Sequence, residues 1–109
     1  PAAFAAADCF VHASVSEGMA LAILEAMAHG LPVVATEGCY MRAAAELGAL
    51  RECAQGGAAL AAALAPVLAD PAGARTLGTA GRRYIQEAHD WDRLARRYLR
   101  IYEEGLPAR

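Results

Sequence analysis

The chain has 109 residues, enough for one domain with a modest core and too few for two. A net charge of −2 gives no electrostatic basis for binding nucleic acid or an anionic membrane surface. The apolar fraction of 57% is inflated by alanine, and no apolar run approaches the roughly 20 residues that span a bilayer. No basic segment leads into an apolar one, so no signal peptide is expected, and opening on Pro1 without Met points to an excised or incomplete sequence.

Residues 1–8 are small and alanine-rich, and read as the end of a helix leading into a strand. Cys9-Phe10-Val11 is the first short apolar run of buried-strand type. His12 and Ser14 follow at its C-terminal end, where open α/β sheets gather their ligands. A lone histidine there reads as a structural hydrogen-bond partner, and His12 is given no role. Residues 19–29 contain no Gly or Pro and are rich in Ala, Leu and Met, which predicts a helix. Gly30 stands at the left-handed C′ position, and Pro32 blocks continuation. Pro32-Val33-Val34-Ala35 is the second apolar run. The pattern is one β-α-β unit with a right-handed parallel crossover.

Residues 36–40 form a second loop at the same sheet edge, then a short helix over 43–46 ends at Gly48. Residues 49–53 read as a third strand whose charges predict less burial. Gln55-Gly56-Gly57 breaks the chain before a helix over 58–68, with Leu60, Leu64, Val67 and Leu68 on one stripe. Pro66 is expected to kink that helix or restart it. Asp70-Pro71 is an N-cap with Pro at N1, opening a helix over 72–88 that turns Leu77, Tyr84 and Ile85 to a core. Its Gly73, Gly78 and Gly81 are each expected to weaken it by up to ~1 kcal/mol. Asp90 caps a last helix over 91–104, with an apolar stripe of Trp91, Leu94, Tyr98, Ile101 and Tyr102. Arg93, Arg96, Arg97 and Arg100 lie largely off that stripe, on a face read as solvated. Cys9, Cys39 and Cys53 lack metal-ligand spacing. Cys9 and Cys53 read as small buried hydrophobes, and Cys39 as the one loop candidate for reactivity, with nothing local to activate it.

The chemistry lies in two carboxylates, Glu17 in the loop at the helix mouth and Glu25 about two turns inside. Helical spacing would put their backbones roughly 12 Å apart along the axis. The entrance offers backbone N–H groups from Gly18, Met19 and Ala20 with the positive end of the helix dipole. Gly18, without a Cβ, lets a ligand approach the backbone closely. An anion flanked by two hydroxyl-rich groups has the right shape, as a nucleotide-sugar does. Spacing alone also fits a plainer reading, in which Glu17 complements the dipole and Glu25 is a solvated mid-helix residue.

The stretch Ser14-x-x-Glu17-Gly18-Met19-x-Leu21-x-x-x-Glu25-Ala26-Met27-Ala28-x-Gly30-x-Pro32-Val33-Val34-Ala35 resembles the signature of the retaining GT-B glycosyltransferases of family 4, also called group 1. The Glu-x7-Glu motif of that family falls on Glu17 and Glu25. Ala7-Asp8-Cys9-Phe10-Val11, Leu68-Ala69-Asp70-Pro71 and Asp90-Trp91 extend the resemblance weakly over nearly the whole chain. It implies an α/β, three-layer Rossmann-like fold: residues 1–104 as the second half of a C-terminal donor-binding domain with about three strands, and residues 105–109 as a tail. The sheet's remaining strands, the basic residues for the diphosphate and the acceptor domain would lie elsewhere.

By that resemblance the substrates are a nucleotide-diphosphate sugar donor and a sugar, lipid-linked or small-molecule acceptor, joined with retained stereochemistry. Glu17 is the catalytic candidate, Glu25 binds the ribose, and Ser14, Gly18, Met19, Ala20 and Leu21 complete the donor site. No metal and no other cofactor are implied, and no nucleic-acid partner. The enzyme would be cytoplasmic or peripheral at the inner membrane face, and this piece alone inactive, with self-association through the truncated sheet. Two positions depart from the family pattern. Ala20 stands where Gly is common, so its methyl narrows the sugar pocket, and Gly38-Cys39 stands where a Gly-Gly pair and a Pro-Glu are usual. The alternatives are a non-catalytic nucleotide-sugar binding or assembly module, or a fragment of a GT-B sugar-nucleotide epimerase.

Overall fold

The computed structural model describes residues 2–105. Helix α1 (Ala2–Ala5) leads to strand β1 (Phe10–His12), helix α2 (Leu21–Ala28) and strand β2 (Val33–Thr36). A single 3-10 turn (Glu37–Cys39) precedes α3 (Arg42–Glu46) and β3 (Arg51–Cys53), after which come α4 (Gly57–Ala69), α5 (Pro71–Ala88) and α6 (Trp91–Gly105). The three strands are parallel in the order β1-β2-β3. Phe10 pairs with Val33 and His12 with Ala35, while Val34 pairs with Arg51 and Thr36 with Cys53. This is the predicted α/β arrangement.

All four residues of β2 are buried, and Val33 and Val34 are both completely so. Neighbouring side chains on a strand point to opposite faces, so the sheet is covered on both sides, as parallel sheets require. β3 carries Arg51 and Glu52 and is only half-buried, as its charges predict. Helix α2 buries Ile23, Ala26 and Met27, spaced three and four apart, and turns Leu21 and Glu25 outward. Removing each large core side chain from water stabilises the fold by roughly 1.5–3 kcal/mol. The helix stops at Gly30, whose φ of +77° is the left-handed turn expected there. Asp70 caps α5, its Oδ1 accepting from the Ala72 N–H at 3.1 Å, and Asp90 does the same for the Arg93 N–H at 2.8 Å.

Three expectations fail. Helix α4 continues through Pro66 to Ala69, so Pro66 does not restart it. The carbonyl that Pro66 cannot satisfy belongs to Ala62, which is exposed, so water can replace the lost donor. Of the α4 stripe only Val67 is buried, and Leu68 is exposed. The third miss is larger: α6 buries none of its residues, and Trp91, Tyr98, Ile101 and Tyr102 all face solvent. Of that stripe only Leu94 is even partly covered among the described residues. The radius of gyration is accordingly 16.4 Å, with extents of 61 × 26 × 25 Å, against about 13 Å for a compact chain of this length.

The cysteines are all free. Cys9 and Cys53, read as buried, are only half-buried, and partial burial still raises the pKa of both thiols. Cys39, the loop candidate for reactivity, is buried, with its Sγ–H directed at the His12 carbonyl at 3.6 Å. Among the described residues no single helix is long and apolar enough to cross a membrane.

Candidate functional site

The loops after β1, β2 and β3 meet at the C-terminal edge of the sheet. Thr36 ties the first two together. Its buried hydroxyl donates to the Ser14 carbonyl at 2.7 Å and accepts from the Ser14 N–H at 3.0 Å. Gln55, just after β3, donates through Nε2 to the same Ser14 carbonyl at 3.0 Å. The Glu17 N–H donates to the Gly38 carbonyl at 2.9 Å. Gly38 fits because a Cβ there would strike the Ser14 and Val15 carbonyls. The end of β2, the loop after it and the loop after β3 therefore hold residues 14–17 through the backbone, leaving the side chains to do other work.

Glu17 is the most constrained of those side chains. His12 Nε2–H donates to its Oε1 at 3.0 Å, with both groups about a third exposed. That hydrogen bond, with a smaller contribution from Ser14, holds the Glu17 carboxyl below the usual carboxylate range. The Ser14 hydroxyl itself donates to the Ser16 carbonyl at 3.2 Å. Beside this loop lies an open depression of about 510 Å³, lined by Val15, Glu37, Gly38, Tyr40, Arg42, Glu52 and Gln55 among others.

Helix α2 begins at Leu21, two residues later than predicted, with Ala20 as its N-cap residue. Gly18 and Met19 therefore lie in the approach to the helix rather than in its first turn, and the helical estimate of the Glu17–Glu25 separation does not apply. The Ile23 N–H is already engaged with the Ala20 carbonyl at 2.9 Å. Gly18 faces open space: a Cβ there would have no neighbour within 4 Å. Met19 and Leu21 are exposed around it. Glu25 sits exposed in the middle of α2, where His29 donates through Nδ1 to its backbone carbonyl at 2.8 Å. Of the predicted residues, Gly18, Met19 and Leu21 are exposed at the helix mouth, Ser14 and Glu17 are half-buried beside them and Ala20 is buried in the core, with Glu25 further along α2 and not in contact with Glu17 through any hydrogen bond. No three His, Cys, Asp or Glu side chains among the described residues converge as a metal site needs.

Residues 1–70 match the family described as "Glycosyl transferases group 1". The chain belongs to the group 1 glycosyltransferases. Among solved structures, sucrose-phosphate synthase from Thermosynechococcus elongatus is similar to it, with a TM-score of 0.84 and 34% identity over 94% of this chain. The chain spans 26% of that protein's length. No curated protein matches. A group 1 glycosyltransferase domain built as part of a Rossmann-like GT-B fold accounts for the parallel sheet and for loops gathered at its C-terminal edge.

Sequence reasoning missed the supports rather than the motif. His12 was given no role and Thr36 and Gln55 were not singled out. The signal available for all three was position: a polar side chain at the C-terminal end of each of three consecutive strands.

Proposed function

We propose that this domain binds the nucleotide-diphosphate sugar of a retaining glycosyltransferase, and that Glu17 acts at the sugar while Glu25 holds the ribose. One observation carries the reading. Gly18 has no structural need to be glycine, since its φ is not positive and a Cβ would point into open space. A glycine that the fold does not require, beside a carboxylate that the fold fixes, fits a ligand lying against that backbone. The sucrose-phosphate synthase likeness supports glycosyl transfer as the reaction class.

In the transfer, the bond between the anomeric carbon and the diphosphate oxygen breaks and an acceptor oxygen bonds to that carbon. The acceptor's proton is released, and the diphosphate departs with the bonding pair. Amide donors at Gly18, Met19 and Ala20 face the growing negative charge near the start of α2, where the helix dipole also favours it. Ala20, only 5% exposed, packs its methyl inward, so the pocket narrowing expected from the sequence is smaller than a projecting methyl would cause.

The donor assignment is tested by Glu25→Gln in the enzyme that carries this chain. A carboxylate accepting ribose hydroxyls makes charge-assisted contacts of roughly 1.5–3 kcal/mol, part of which an amide retains. The donor Michaelis constant is expected to rise about tenfold with turnover little changed. Turnover lost at unchanged donor affinity would remove Glu25 from the ribose.

Partner-free edges bear on the isolated chain. Among the described residues β1 and β3 are both edge strands, and β1 (Phe-Val-His) carries no Lys, Arg, Asp or Glu to discourage pairing. Such an edge pairs readily with another copy. Sedimentation of the 109-residue chain is expected to show concentration-dependent association, and a compact monomer at all concentrations would contradict it.

A further inference from the structure

We propose that His12 is a positioning residue for Glu17, fixing the carboxylate at the mouth of α2 in the orientation that sugar transfer requires. The inference rests on the assignment of Glu17 to the sugar made above. Glu17 is held at two points from two different strands' ends. Its backbone N–H is fixed to the Gly38 carbonyl at 2.9 Å, after β2, and its Oε1 to His12 Nε2 at 3.0 Å, the last residue of β1. A backbone anchor alone leaves the glutamate's three side-chain torsions free, and the second contact removes that freedom.

The imidazole is itself held. It stacks on Phe10, two residues back on the same face of β1, with ring centroids 6.1 Å apart and planes 13° from parallel. Phe10 meets Phe4 edge-on at 5.9 Å, and both pack against the buried core. A row of rings therefore connects the core to the carboxylate. An ionised carboxylate only accepts, so Nε2 carries the proton in this pair. Using one lone pair of Oε1 leaves the carboxylate further acceptor capacity for sugar hydroxyls. The contact His12 makes at this site is to Glu17, and it acts through that carboxylate.

The test compares His12→Phe and His12→Gln with Glu17→Ala in the enzyme that carries this chain. The probe is whichever of UDP-glucose, ADP-glucose and GDP-mannose the wild type hydrolyses or transfers fastest, followed by nucleoside diphosphate release. Phe keeps the ring stack and removes the donor, whereas the Gln amide nitrogen reaches close to the Nε2 position. Turnover is expected to fall about tenfold in His12→Phe at an unchanged donor Michaelis constant, and to recover most of that in His12→Gln. A purely structural ring would give the opposite order, because Phe preserves packing better than Gln. Carbon-13 titration of the Glu17 carboxyl supplies a readout independent of turnover: its midpoint is expected to rise in His12→Phe. Wild-type turnover in His12→Phe beside a collapsed Glu17→Ala would overturn the role of His12 alone. Wild-type turnover in both would overturn the assignment of Glu17 beneath it. An unmoved Glu17 midpoint would show that the hydrogen bond does not hold the carboxylate.

Discussion

Replacing Glu17 with alanine is expected to lower sugar transfer by roughly 10²-fold or more while leaving affinity for the nucleoside diphosphate product nearly unchanged. As the sugar departs, negative charge gathers on the diphosphate and positive charge on the ring. On the proposed assignment, backbone amides near the start of α2 meet the first, and a fixed carboxylate at the sugar end favours the second. The carboxylate is prepared for this. Its hydrogen bond to His12 keeps it ionised below the usual carboxylate range, so it carries full charge through neutral pH. On the proposed assignment it also orients the sugar, and transfer depends on near-attack geometry. The side chain lies at the rim of the sheet and not in the core, so its loss leaves the fold intact and a fall in turnover reports chemistry. Steady-state turnover and calorimetric titration with nucleoside diphosphate separate the two quantities. Full activity in the variant would return Glu17 to the plainer role of a surface carboxylate complementing a helix dipole.

The β-α-β frame was legible because several local signals agree there. Apolar runs bracket the helix, Gly30 and Pro32 end it, and the structure places strand, helix and strand accordingly. The start of α2 was less legible. Residues 19 and 20 are good helix formers, yet the chain spends them on the approach from the Gly38 contact, so the site's backbone is loop and not helix. Propensity describes what a residue tolerates, and tertiary hydrogen bonds decided otherwise. His12 was invisible as a support for the same reason: its partner lies five residues on, across a turn whose path is set by Thr36 and Gln55.

Helix α6 marks another limit of sequence reading. Its 3.6-residue period defines an apolar face correctly, but a period carries no information about what covers that face. The glycines of α5 mark a third. Helix propensity counts each as a defect, whereas Gly78 and Gly81 are buried where the helix crosses other backbone.

That crossing carries the largest expected loss of stability. Gly78→Ala would place a Cβ against the Gly30 carbonyl oxygen, 3.0 Å from the Gly30 carbonyl carbon and 3.2 Å from that of Leu31. These are backbone atoms of a turn that already needs a positive φ and that joins α2 to the central strand, so they cannot rotate aside. The helix must lift instead, and Gly81, whose own Cβ position lies 2.8 Å from the Ala49 carbonyl, limits how it can move. Overpacking of this kind costs about 1–3 kcal/mol or more. The gain in helix propensity of Ala over Gly offsets at most ~1 kcal/mol of that. A domain of this size loses roughly 4–8 °C in Tm for each kcal/mol. Gly57→Ala is the matched control, the same added methyl at the start of α4 with nothing within 4 Å. Thermal unfolding at one fixed protein concentration is expected to show Gly78→Ala several degrees lower and Gly57→Ala at or slightly above wild type. Equal midpoints for the two variants would mean that α5 does not approach the Gly30 turn this closely, and the core that α5 closes over Met27 would have to be packed some other way.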